Sequence, residues 1–221
     1  MKILIIAPHM DDEVLGCGGT IARHIERGDE VHVCFIANRV YNHKYDLESN
    51  KKEMECALKA REILGYREAY FLNLHDERLD TCIQDIIIPL EKCIKSVDPE
   101  IVFINHWGDN HQDHKAVFQA AMVALRPFAS QNVKKIICYE VPSSTDQSPP
   151  LQAFAFLPNF YVNITSFLEK KLKALACYET ESRNFPHPRS LLGVKIHAQK
   201  RGLEIGFEAA EAFFILREKL Y

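Results

Sequence analysis

The first strong signal along the chain is the run Ile3-Leu4-Ile5-Ile6-Ala7. Its side chains are apolar without alternation, which predicts a strand over Lys2–Ala7 buried on both faces. Glu13–Arg27 then repeats apolar residues at helical spacing and stops at Gly28, a residue that ends helices readily. A second strand is predicted over Val31–Ile36 and a second helix over Leu47–Leu64, closed by Gly65. Ala69–Leu72 reads as a strand. Ile83–Ser96 reads as a helix that Pro89 either kinks or delays. After the turn signal Asp98-Pro99 come a strand at Ile101–Ile104, a helix at His114–Leu125 and a strand at Val133–Tyr139.

Strand-then-helix order repeated in this way predicts a Rossmann-like three-layer α/β fold, a mostly parallel sheet with helices on both faces. Val141–Pro158, rich in Pro, Ser and Gln, reads as a surface loop. Beyond it a strand is expected at Phe160–Asn163 and helices at Ser166–Tyr178 and Ser190–Gly202, whereas Glu208–Leu220 fits helix or strand. The length of 221 residues suits a single domain over 1–221, with a core at 1–140 and a C-terminal part at 141–221.

Composition narrows the field mainly by exclusion. Hydrophobic residues make up 47% and charged residues 26%, a globular mixture rather than a disordered or fibrous one. A net charge of -3 and a pI near 6.4 leave no basic footprint for nucleic acid. Lys51-Lys52 and Lys170-Lys171 fall in helical stretches and are expected on solvated faces. No stretch is apolar enough for a membrane span. The opening apolar run is too short for a secretion signal, and acids follow it at once. The seven cysteines are widely spaced without a C-x-x-C, which points to free thiols and a cytoplasmic setting.

Two polar clusters stand apart. Pro8-His9-Met10-Asp11-Asp12-Glu13 follows the first strand, and His106-Trp107-Gly108-Asp109-Asn110-His111-Gln112-Asp113-His114 follows the strand at Ile101–Ile104. Ligands bind outside the carboxyl ends of strands in open α/β sheets, so both clusters belong to one sheet edge. Three successive acids repel one another unless a cation offsets them. His9 and Asp12, three apart, can aim at one ion, and imidazole with carboxylate suits Zn²⁺. One histidine of the second cluster would complete an open three-ligand site. Helix capping by the acids is the plain alternative, and Glu13 with one of the aspartates is expected to share in it. Gly16-Cys17-Gly18-Gly19 departs from G-x-G-x-x-G because Ile21 stands where the last glycine belongs, and the adjoining acids would repel a pyrophosphate. Those glycines are expected to bring the helix close to the sheet.

At these residues the chain resembles the PIG-L/LmbE family of zinc-dependent N-acetylglucosaminyl deacetylases. The family's (A/P)-H-x-D-D-E loop stands as Pro8–Glu13 and its H-x-D-H motif as His111–His114. Gly18-Gly19-Thr20, Ala60 with Leu64-Gly65, Pro186–Ser190, Arg201-Gly202 and Ala210–Phe213 extend the likeness over almost the whole chain. The resemblance implies that His9, Asp12 and His114 bind one zinc, another divalent ion being the alternative. It implies that Asp11 is the general base toward the attacking water. It also implies that His111, oriented by Asp113 and kept charged, stabilises the tetrahedral oxyanion. The activity so implied is hydrolysis of the acetamide of an N-acetylglucosamine-containing small molecule or conjugate, with the C-terminal part shaping the substrate site and a homo-oligomer as the expected assembly. The chain departs from the family at Ala37–His43, which lacks the usual glycines, at Lys51-Lys52, where a sugar-gripping arginine is common, and at Tyr178-Glu179-Thr180-Glu181, where Y-x-S-Q is common. Arg39, Tyr41, Glu140, His187 and Arg189 are the candidate substrate contacts, since charged groups suit hydroxyls and aromatic faces stack on sugar rings. Competing readings are a metal-dependent phosphoesterase and a sugar-binding module with a relic site.

Overall fold

Lys2–Ala7 forms β1 near the middle of a seven-stranded sheet in the computed structural model of the chain, which describes residues 1–41 and 43–220, without the side chains of Val40 and Tyr41. In chain order the elements are β1, α1 (Asp12–Glu26), β2 (Glu30–Asn38), β3 (Val40–Tyr41), β4 (Lys44–Tyr45), α2 (Leu47–Leu64), β5 (Glu68–His75), α3 (Ile83–Val97), β6 (Ile101–Asn105), α4 (Gln112–Ala124) and β7 (Lys135–Tyr139). They continue as β8 (Phe160–Asn163), α5 (Leu168–Leu175), α6 (Leu191–Leu203) and β9 (Ala210–Glu218).

The sheet runs β5-β2-β1-β6-β7-β9-β8. The first five of these are parallel, and β9 runs antiparallel between β7 and β8. Period-two alternation along β1 divides the core into two halves. Ile3, Ile5 and Ala7 pack with α1, α2, α5 and α6, whereas Leu4 and Ile6 pack with α3 and α4. The three-layer expectation therefore holds. The ambiguous Glu208–Leu220 becomes a strand, and strands from 141–221 join the same sheet as those of 1–140. Pro89 lies inside α3 without ending it. A short hairpin, β3–β4, occupies the segment after β2 in which no strand was expected.

Lys171 departs from expectation. It is 3% exposed. Its ammonium lies 2.6 Å from Glu211 and donates to the Leu15 carbonyl at 2.8 Å, while Glu211 accepts the N–H groups of Gly19 and Thr20. A buried charge needs such a partner, and this pair ties α5 and β9 to the turn of α1 just behind the acidic loop. Gly16 answers a different need: a Cβ there would overlap the ring of Tyr139, so glycine lets α1 close onto β7. No helix of the described residues is long and apolar enough to cross a membrane, and all seven cysteines are free.

Candidate active site

The β1–α1 and β6–α4 loops meet because β1 and β6 are parallel neighbours, paired Ile3–Ile101 through Ile6–Ile104. Their ends place His9, Asp12 and His114 side by side, all at most 2% exposed. His9 Nδ1 lies 3.2 Å from His114 Nε2 and 3.4 Å from Asp12 Oδ2, and His114 Nε2 lies 3.2 Å from that same oxygen. Donors held ~2.0–2.2 Å from a tetrahedral ion stand roughly 3.3–3.6 Å apart, so this triangle has the dimensions of one face of a zinc site. Asp12 Oδ1 is buried without a hydrogen-bond partner, as expected of a group that answers to a cation. Burial opposes ionisation of Asp12, but the neighbouring imidazoles outweigh it and hold its carboxyl well below the usual range. Burial likewise opposes charge on His114, yet Asp12 and Asp109 push it up to about 9. The cluster attracts positive charge, whether a proton or a metal ion.

The rings are supported from behind. His9 Nε2 lies 2.9 Å from Asp76 Oδ1 and 3.3 Å from Asp113 Oδ2, and His114 Nδ1 lies 3.0 Å from Asp109 Oδ2. Carboxylates on the far nitrogen fix the tautomer and orientation of a ligating imidazole. His9, Asp76 and Asp113 are also close enough to hold an ion between them. Asp113, however, already accepts the N–H groups of Glu77 and Leu79 at 2.6 and 3.1 Å, so this set acts as hydrogen-bonded support. Asp113 was expected on His111; its carboxylate faces His9 instead. Only its backbone N–H reaches the His111 ring, donating to Nδ1 at 3.2 Å.

That contact alters the role of His111. A ring accepting at Nδ1 and neutral overall carries its proton on Nε2. Burial first, then the positive charge of His9 and His114, lowers its pKa to about 4. The Asp113 N–H at Nδ1 favours a neutral ring with one N–H to donate over the expected imidazolium. Its centroid lies 4.8 Å from that of His9 and 5.0 Å from that of His114.

Asp11 occupies the strained point of the loop, with φ 114°. Such a conformation costs a non-glycine residue on the order of 1–3 kcal/mol, and surrounding contacts must impose it. Its carboxylate makes no capping bond to α1. Oδ2 lies 3.2 Å from Arg189 Nη1, and Oδ1 is buried without a partner. Burial raises its pKa to about 7, against the pull of Arg189 and with the push of Asp12. A base is most useful with a pKa near the working pH. Glu13 does share in capping, as expected: one oxygen reaches back from the first turn of α1 to accept the N–H of the N-cap residue Asp11 at 3.1 Å, and the other accepts the Tyr178 hydroxyl at 2.6 Å. Burial pushes Glu13 up to about 8, against those bonds.

A cavity of about 270 Å³ opens over Asp11, lined by Tyr178, Glu179, Glu181, Ser182, Arg189 and Leu191 among others. The expected substrate contacts divide around it. Arg189 reaches it but is also bound to Asp11 and to the Ser143 hydroxyl at 2.7 Å. Arg39 lies 2.7 Å from Glu181 on the cavity wall. His187 accepts the Arg189 N–H at 3.1 Å and so supports that arginine. Glu140 is bound by Arg201 at 2.6 and 2.7 Å and lies 3.0 Å from His197, and it is not among the residues that line this cavity. The side chain of Tyr41 lies outside the described residues. Asp76 was missed, although its place just past the end of β5 on the same sheet edge was the available signal. Asp109, which had no role from the resemblance, holds the His111 N–H at 2.9 Å and the Thr145 hydroxyl at 2.9 Å.

Residues 4–125 match the family model described as PIG-L, GlcNAc-PI de-N-acetylase. An Escherichia coli protein named Uncharacterized deacetylase YaiS is 35% identical over 178 residues, 78% of this chain and 90% of that protein. The Diacetylchitobiose deacetylase of Thermococcus kodakarensis is 25% identical over 195 residues, covering 81% and 70%. A Pseudomonas putida protein named 4-oxalmesaconate hydratase is also 25% identical, over 193 residues, covering 79% and 71%. Among solved structures, the conserved protein TT1542 from Thermus thermophilus superposes with a TM-score of 0.79 at 25% identity, covering 99% of this chain and 96% of that one.

Proposed function

The chain belongs to the PIG-L, GlcNAc-PI de-N-acetylase family, and from that premise we propose that it is a metal-dependent hydrolase of N-acetylated amino sugars. It removes the acetyl group from an N-acetylglucosamine-containing small molecule or conjugate, releasing acetate and a free amine. The observation that carries this reading is the free, buried Oδ1 of Asp11 beside a three-donor triangle of zinc dimensions.

His9, Asp12 and His114 would hold the ion, and two imidazoles with one carboxylate fit zinc. A divalent ion bound there acidifies water and polarises an amide carbonyl. Asp11 takes the proton of the attacking water and returns it to the departing amine, for which its pKa of about 7 suits both directions. His111 donates its Nε2–H to the developing oxyanion, a contribution made by a neutral donor as well as by a charged one. Arg189 keeps Asp11 ionised and turned to the cavity. Burial of the whole set strengthens each of these interactions by excluding water.

The hydratase relative favours a second reading, because adding water to a carbon–carbon double bond also calls for activated water and a base. The two readings differ in product. Metal-reconstituted protein is expected to release acetate from diacetylchitobiose or another N-acetylglucosamine conjugate, and to stop when a chelator is added. No acetate from a panel of such sugars, with hydration of 4-oxalmesaconate or phosphate release from sugar phosphates in its place, would overturn the proposal.

A further inference from the structure

Asp11 is held by its backbone as well as by its carboxylate. Its N–H donates to Glu13 Oε2, in the first turn of α1, at 3.1 Å, while Glu13 Oε1 accepts the Tyr178 hydroxyl at 2.6 Å. Glu13 and Tyr178 are 0% and 1% exposed. Both carboxylate oxygens of Glu13 are thus occupied by donors, one from the loop that carries the base and one from the segment after α5. Nothing in the hydrolytic scheme above uses Glu13 or Tyr178, yet a buried carboxylate is retained two residues from the base.

The strain at Asp11 gives this pair a purpose. An L residue at φ 114° relaxes toward negative φ unless its neighbours prevent it. The Asp11 carbonyl is fixed by α1, accepting from Val14 and Leu15 at 3.0 and 2.9 Å. On the N-terminal side the Glu13 carboxylate is the group that fixes the peptide N–H. Rotating that peptide back would break the bond to Glu13 and swing the Asp11 side chain away from Arg189 and the triangle. Tyr178 in turn lines the cavity and is followed at once by the turn bearing Glu181, which meets Arg39.

We infer that Glu13, clamped by Tyr178, is a positioning residue that holds the backbone of Asp11 in its strained conformation and thereby aims the base. The inference rests on the proposed hydrolytic reading and deepens it. A carboxylate is not required as a charge; what matters is an acceptor toward Asp11 and a partner for the tyrosine hydroxyl. Glutamine supplies both, because the hydroxyl can turn to accept from the amide.

The experiment compares Glu13→Ala, Glu13→Gln, Tyr178→Phe and Asp11→Asn with the parent, all zinc-reconstituted, for acetate release, with zinc content measured on each. A misplacement of about 1 Å in a reacting group costs ~10²-fold, so Glu13→Ala is expected to lower kcat about that much with KM and zinc content little changed. Glu13→Gln is expected to restore kcat to within a few-fold. Tyr178→Phe, which removes one of the two hydrogen bonds holding Glu13, is expected to lower kcat roughly tenfold. A second readout needs neither metal nor turnover: the Asp11 amide of the metal-free parent and Glu13→Gln proteins is protected from hydrogen exchange by NMR, and that of Tyr178→Phe less so. If Glu13→Ala does not fold, Tyr178→Phe and the exchange data decide the matter. Full kcat in Tyr178→Phe with unchanged protection overturns the inference, as does a Glu13→Gln protein as inactive as Asp11→Asn. No loss of activity in Asp11→Asn, by contrast, sinks the hydrolytic reading itself.

Discussion

Arg189 Nη1 lies 3.2 Å from Asp11 Oδ2 across 178 positions of sequence. The chemistry of its side chain makes Arg189 a candidate sugar contact, but this distance makes it a partner of the proposed base. The distinction is testable through pH. Asp11 must be ionised to accept a proton, so activity falls as pH drops through its pKa. Arg189 stabilises the ionised form, and removing it raises that pKa. Arg189→Gln is therefore expected to move the acidic limb of kcat/KM to higher pH by about one unit or more, the usual effect of an adjacent opposite charge. An acidic limb left in place, with only KM increased, would return Arg189 to the role of substrate contact.

Asp11 itself offers the sharpest separation of chemistry from metal binding. Its carboxylate stands outside the triangle formed by His9, Asp12 and His114, so Asp11→Asn should keep the ion. The variant is expected to lose ~10²–10⁴-fold in kcat while its zinc content, measured by atomic emission, stays at the parental value. Loss of zinc together with activity would mean that Asp11 serves as a ligand.

Much of this site was legible before any coordinates, for a reason that particular strands make plain. Strands β1 and β6 are apolar on both faces, hence parallel and central, and that alone brings His9 and His114 to one edge despite 105 positions between them. Side-chain direction was harder to read. Asp113 follows His111 by two residues, yet the first turn of α4 points its carboxylate toward His9 and the Glu77 and Leu79 amides. Motif spacing could not show that, because it depends on where the β5–α3 loop falls. The same holds for Lys171, whose helix looked solvent-facing until Glu211 of β9 supplied the buried partner. Contacts decided by the sheet were readable; contacts decided by where a second loop lands were not.

Asp76 is one of those loop contacts, and its effect should fall on the metal. It lies 2.9 Å from His9 Nε2, the nitrogen opposite the one in the triangle. Removing such a carboxylate typically weakens metal affinity about 10–100-fold. Asp76→Ala is expected to show that loss in a chelator-competition titration, with kcat at saturating zinc reduced far less than in Asp11→Asn. Unchanged affinity would mean that Asp113 alone orients the ring.

Glu140 calls for a stability measurement rather than a kinetic one. Burial opposes its ionisation, but His197 and Arg201 outweigh burial and hold its pKa at about 2 against an ordinary value of 4.5. A carboxyl with a depressed folded pKa adds stability above its unfolded pKa and loses it as pH falls through the folded value. The window here runs from about pH 4.5 down to about pH 2, and the shift corresponds to an order of ~3 kcal/mol. Glu140→Gln should therefore be less stable than the parent at pH 7 by about that amount, with Arg201 left partly unpaired. The gap should narrow as pH falls, because only the parent then has a carboxylate to lose. Urea unfolding of the two metal-free proteins at pH 7, 4.5 and 3 measures it directly. A gap that stays constant across that range would show that Glu140 is not ionised in the folded chain, and a KM raised severalfold in the variant would restore the sugar contact that its position argues against.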